Sequence, residues 1–139
     1  MPAPAQGVLA VECRTDDPVT AAQLRTLDHA PTRAAAITER GFLAALEAGC
    51  SAPAGALAEL ATEAGAEPAV RVSGVIAAPD GSSVIRAQTT GAAGDGDALG
   101  RRLAHMLLQH GGAALLGRTS HGVTDPRSRP HGRQVGCRP

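Results

Sequence analysis

The stretch AVRVSGVIAAPDGSSVIRAQTT, residues 69–90, holds two strand-like runs joined by a turn, and it decides the fold class. In the first run, Val70, Val72 and Ile76 fall on one face and Arg71 and Ser73 on the other. That period of two is what a strand covered on one side requires. PDGS is a turn signal, and SVIRAQTT completes a hairpin. Upstream, AGALAEL (residues 54–60) is Ala-rich and is read as a third strand. Downstream, GAAGDGD is a flexible connector. A helix then starts near Asp95 or Asp97 and carries Leu99, Leu103, Met106 and Leu107 as a core stripe. Gly111 and Gly112 stop it.

Toward the N-terminus, residues 7–14 (GVLAVECR) read as a strand. The apolar run Val8, Leu9, Ala10, Val11 suits a strand covered on both faces, yet nothing before it supplies a partner. A helix follows, with Asp17 as cap and Pro18 at its first position. Ala22, Leu24 and Leu27 are its expected contacts, and Pro31 ends it. A second helix runs from Thr32, the expected cap, to about Glu47, with Ala35, Phe42, Leu43 and Leu46 as its stripe. Glu39 lies inside that stripe and needs a partner or a route to water. The expectation is an ion pair with an arginine, and the alternative is a functional role. Gly49 is the expected helix stop, and Pro53 prevents resumption. The order strand, two helices, three strands, helix predicts an α+β fold. It consists of a small three-stranded antiparallel sheet with helices on one face, preceded by an orphan strand.

Composition narrows the function classes. The 139 residues are 43% apolar, but with one Phe and no Tyr or Trp the core must be built from small side chains. Formal net charge is zero, which gives no case for nucleic acid or an acidic membrane surface. The base-stacking platform is missing too. MPAPAQG has neither the basic region nor the apolar run of a signal peptide, and no apolar stretch approaches the ~20 residues of a membrane span. A cytoplasmic protein is the default expectation. Cysteines 13, 50 and 137 are odd in number and contain no CxxC, against both a disulfide framework and a zinc ribbon.

Cys50 follows a helix C-terminus, in LEAGCSAP. Nucleophilic cysteines favour helix N-termini or cationic neighbours, whereas a C-terminal dipole disfavours thiolate. The local chemistry suits a thiol modified once and kept as an anchor. Gly49, Ser51, Ala52 and Ala54 leave room for a bulky group beside the sulfur. On spacing alone, a small buried apolar cysteine remains the ordinary alternative.

Residues 39–53, ERGFLAALEAGCSAP, resemble the cysteine signature of the porphobilinogen deaminase (hydroxymethylbilane synthase) family. Glu39, Arg40, Phe42, Leu43, Leu46, Glu47, Gly49, Cys50 and Pro53 match it, while Ala48 replaces a glycine. AQGVLAVECR resembles the family's Gly-Gln-Gly strand through Gln6, Gly7, Glu12, Cys13 and Arg14, with Ala5 replacing a glycine. SGVIAAPDGSSVIR and LGRRLAHMLLQHGG resemble its C-terminal hairpin and last helix. The likeness runs in the correct order over residues 3–116.

The resemblance implies a dipyrromethane cofactor bound through a thioether at Cys50, with Gly49, Ser51 and Gln6 beside it. In the complete enzyme, four porphobilinogen units are joined into hydroxymethylbilane for heme and other tetrapyrroles. By this likeness residues 1–16 are the returning strand of a first domain, residues 17–116 the cofactor-carrying C-terminal domain, and residues 117–139 a disordered tail. Arg14 is expected to be structural. Counterparts of the family's catalytic aspartate and carboxylate-binding basic residues belong to domains upstream of anything present here. The chain therefore reads as the C-terminal third, inactive alone, with a second chain as the possible source of the first two domains. The competing expectation is a small α+β binding or regulatory module that has lost the chemistry. A stand-alone thiol enzyme pairing Cys50 with His29 or His105 lacks base spacing.

Overall fold

The structure, a computed structural model, describes residues 1–47, 52–61 and 67–117. Three strands form an antiparallel sheet in sequence order: β1 (Ala54–Ala61), β2 (Ala69–Ala77) and β3 (Val84–Ala92). The hairpin anticipated from PDGS joins β2 to β3 with Ala77 opposite Val84. Gly81 takes φ +76° in the turn, and the Asp80 carboxylate accepts from the Ser82 amide at 3.0 Å and hydroxyl at 2.7 Å. Those two bonds hold the Asp80 carboxyl below its ordinary value.

Helices α2 (Ala30–Leu46) and α3 (Gly96–Leu107) cover one face of the sheet. Val70, Val72 and Ile76 are fully buried beneath them, beside Ala56 and Ala58 of β1. Phe42 and Leu46 of α2 and Leu99, Leu103, Ala104 and Leu107 of α3 complete the core. With few large side chains available, the layers fill space by close approach. A Cβ on Gly74 would stand 2.9 Å from Phe42, so the chain's one phenyl ring sits directly on bare strand backbone. The two helices touch backbone to backbone. A Cβ on Gly41 would lie 2.5 Å from the Asp97 carbonyl, and one on Gly100 would collide with the Thr38 carbonyl. Buried Thr38 turns its hydroxyl back to the Ala34 carbonyl at 2.8 Å.

The sheet, the hairpin and the α3 stripe agree with the sequence reading, although Met106 is only half-buried. After Leu107 the helical path kinks at His110 and Gly111, where Gly111 takes φ +104°, and resumes for one turn, Ala113–Leu115.

The N-terminal third departs from expectation. Residues 7–14 pair with no strand among the described residues, because a lone extended segment has no ladder to join. Leu9 is 94% exposed and Val11 62%. Helix α1 (Pro18–Leu24) forms with Asp17 as cap, as the sequence indicates, then tightens into a 3₁₀ turn, Arg25–Leu27. It buries no residue: Ala22 and Leu27 are exposed and Leu24 only half-covered, so the expected contacts are not made. The second helix begins earlier than expected. His29, not Thr32, is its cap residue, and Pro31 lies in the first turn, where a missing amide costs nothing. Leu43 is exposed, and Thr38, Glu39 and Gly41 take the buried positions instead. The proposed tail from residue 118 lies outside the described residues.

Candidate functional site

The sequence points to the junction between α2 and β1, and both ends of that junction are fixed. Helix α2 terminates at Glu47, which adopts left-handed backbone (φ +46°) and returns its amide to the Ala44 carbonyl at 3.3 Å. Leu46, immediately before it, is fully buried. On the far side, the Ala54 amide bonds the Ala52 carbonyl at 2.8 Å and the Pro53 carbonyl accepts from Ala77 at 2.9 Å. Ala54 then pairs with Ile76. Cys50, Gly49 and Ser51, three of the four expected cofactor-binding residues, belong to residues 48–51 between those fixed ends and lie outside the described residues.

Gln6, the fourth, is described and is exposed. It belongs to a tight N-terminal bend in which its amide bonds the Ala3 carbonyl and the Val8 amide bonds the Ala5 carbonyl, each at 3.2 Å. Ala5 takes φ +59° there, a conformation that costs an L-residue about 1–2 kcal/mol. By the resemblance of AQG to a Gly-Gln-Gly motif, Ala5 stands in for a glycine, which adopts such φ freely. Gln6 borders a cleft of about 440 Å³ with Pro2, Ala35, Glu39, Leu57 and Ala58.

Glu39 is the polar centre of this region. The expected arginine is not its partner; both carboxylate oxygens accept backbone amides instead. Oε2 takes the Ala5 amide at 2.6 Å and Oε1 the Ala58 amide at 2.7 Å. The residue is only 7% exposed, so two short charge-assisted bonds stand in for lost water. An acid inside an apolar stripe was the signal that something meets it. That the partners are amides 34 residues upstream and 19 downstream was not legible in one dimension.

The remaining candidates are dispersed. Arg14 is exposed and pairs loosely with Asp16 at 3.4 Å. Arg33 pairs with Asp28 at 3.2 Å, and the His29 ring meets the Thr32 hydroxyl at 2.8 Å. With Arg40 they rim an apolar groove of about 340 Å³ between the N-terminal segment, α1 and α2. His105 is exposed on α3. Among the described residues no cluster of His, Cys, Asp and Glu could hold a metal ion, and no helix is long and apolar enough to cross a membrane.

Residues 34–109 match the family model described as "Porphobilinogen deaminase, C-terminal domain". The chain is similar to porphobilinogen deaminase 1 of Streptomyces avermitilis, at 46% identity over 125 residues, covering 87% of this chain and 39% of that protein. It is 49% identical over 122 residues to the porphobilinogen deaminase of Mycobacteroides abscessus, covering 85% and 40% respectively. The porphobilinogen deaminase of Nocardia farcinica aligns over 133 residues at 45% identity, covering 93% and 38%. The chain thus spans about two-fifths of the length of these curated relatives.

Proposed function

The chain belongs to the porphobilinogen deaminase family, matching its C-terminal domain, and on that premise we propose that it is the cofactor-carrying portion of a hydroxymethylbilane synthase. The observation that carries this reading is the family match over residues 34–109, a range that includes LEAGCSAP and its Cys50.

In this reading Cys50 holds a dipyrromethane through a thioether. When bound, that group supplies the pyrrole terminus onto which porphobilinogen units are joined. The donor chemistry fits: a thioether needs a sulfur that reacts once, and from Ala48 to Ala56 no side chain is larger than proline. Gly49 and Ser51 let the backbone lie close to the anchored group. Gln6, on its strained bend, offers an amide beside the cleft shared with β1. The fixed ends at Glu47 and Ala52–Pro53 belong to the helix-and-sheet body, so in this reading the group is carried on that body rather than on the N-terminal segment.

Residues 1–16 are then the strand returned to a first domain, residues 17–116 the carrier domain, and residues 117–139 a solvated tail. The exposed apolar side chains of Leu9 and Val11, beside half-buried Val8, support the first assignment, since such a run suits a sheet covered on both faces. The groups that stabilise the condensing pyrroles and bind their carboxylates would come from polypeptide equivalent to the other three-fifths of the relatives. In this reading the 139 residues make no tetrapyrrole without that polypeptide, whether it is joined to them or supplied by a second chain.

Intact mass of the chain purified from porphyrin-making cells tests the proposal. The expected result is an increment of two pyrrole units on the wild type that is absent in Cys50→Ser. A bare thiol in those cells overturns it and leaves the binding-module reading. Incubation with porphobilinogen is the second arm: tetrapyrrole formation without added protein contradicts the dependence on other domains.

A further inference from the structure

We propose that Glu39 is a positioning latch, a single buried carboxylate that holds the bend at Ala5–Gln6 in register with β1, the strand that leaves the anchor segment. The role of that register rests on the reading of Cys50 as the anchor; the latch itself rests on three observations independent of it. The two oxygens of Glu39 accept amides from segments far apart in the sequence, Ala5 at 2.6 Å and Ala58 at 2.7 Å. Ala58 lies on β1, which among the described residues pairs with β2 alone, so this amide belongs to the outer edge of the sheet. An unpaired edge amide is a site for wrong partners, and here the carboxylate occupies it. Ala5 meanwhile keeps left-handed backbone, φ +59°, which persists only where surroundings over-determine it.

The consequence is geometric. Met1 and Pro2 lie along β1 as well, their carbonyls 3.3 and 2.8 Å from where a Cβ on Gly55 would be. The N-terminal segment therefore meets β1 twice, at Gly55 on the face away from the helices and at the Ala58 edge, and Glu39 fastens the second contact. Gln6, one residue past the fastened amide, is thereby held over the same strand that begins just after Cys50. A glutamine at position 39 has one carbonyl oxygen and could hold only one of the two amides; its NH₂ would oppose the other donor.

Nuclear magnetic resonance on the full chain tests the latch. In the unaltered protein, couplings across the hydrogen bonds should connect the Ala5 and Ala58 nitrogens to one and the same Glu39 carboxylate carbon. In Glu39→Gln, amide exchange at Ala5 and Ala58 should rise roughly tenfold or more, as expected for loss of a charge-assisted bond, while β2 amides at Val70 and Val72 change less than about twofold. Unchanged exchange at Ala5 and Ala58, or a uniform rise across the sheet, overturns the proposal. If Glu39→Gln does not fold, the couplings in the unaltered chain decide: absence of either one refutes the latch. Loading of Cys50, read by mass, is a separate measurement, so failure of the anchor and failure of the latch are distinguishable.

Discussion

Two regions of this molecule carry similar apolar runs and meet different fates. In the body, from α2 through α3, Val70, Val72 and Ile76 alternate into a core sealed by Phe42, Leu46 and Leu103. In the first 29 residues, Val8, Leu9 and Val11 form an equally apolar run, yet Leu9 and Val11 face solvent and α1 buries nothing. The difference is not intrinsic propensity. It is the presence of a second layer: β2 has strands on both sides and helices above it, while residues 7–14 have neither. An apolar run becomes a strand only when something supplies its ladder and its cover. The bend at Ala5 and the carboxylate of Glu39 are where the two regions meet.

The sharpest way to break this contrast is to remove the ring that closes the body. Phe42 is fully buried against Gly74, Leu103 and Leu107. Phe42→Ala should cost about 3–5 kcal/mol, enough to unfold so small a core, and urea unfolding would measure it. Retention of most of the stability would mean that the core is not organised around this ring. Next in size is Gly100→Ala. The added methyl would collide with the Thr38 carbonyl where the two helices touch, so the helices must separate, at about 1–3 kcal/mol. The same denaturation series checks it. An unchanged midpoint would show the helices to be farther apart than described.

That helix contact also marks the limit of what one sequence tells. The hairpin was legible because PDGS and alternation are local, and α3 because its leucines repeat at helical spacing. The close approach of Gly41, Gly96 and Gly100 to α2 and α3 backbone was not legible, since a glycine inside a helix signals only weakness until its neighbour is known. The start of α2 was missed because Pro31 reads equally as a helix stop or as a first-turn residue. At the candidate site, Cys50 was singled out by its small flanks together with a family likeness. Glu39 was flagged by burial periodicity, but its two amide partners needed the fold.

A matched substitution in the N-terminal segment sharpens the comparison. Leu9→Ser removes a side chain as apolar as those of the core, but one that is 94% exposed. Its effect on the stability of this chain should stay within about 0.5 kcal/mol, the range of ordinary surface changes. A loss above ~1 kcal/mol would show that Leu9 is covered in solution, by a second molecule or by a rearranged segment. Thermal unfolding at two protein concentrations separates those outcomes, because only cover from a second molecule depends on concentration.

The smallest expected effect concerns α1, which stands without tertiary cover and so depends on its local cap. The Asp17 carboxylate accepts the Thr20 hydroxyl at 2.6 Å and the Thr20 amide at 3.0 Å. These bonds, the hydroxyl foremost, hold its pKa below the ordinary aspartate value of 3.8. A carboxyl with a depressed folded value stabilises the helix fully above the unfolded value and loses that contribution as pH falls through the folded one. The Thr20 amide resonance should therefore stay constant around neutral pH and move in acid with a midpoint below 3.8. Core amides at Val70 and Val72, far from any such cap, should not follow it. A Thr20 midpoint at or above 3.8 would show that the cap is not formed, and α1 would then need cover from elsewhere to be a helix at all. Titration of this one amide thus reports whether the N-terminal region owes its only regular element to residues within four positions of one another, as the body owes its elements to contacts across the chain.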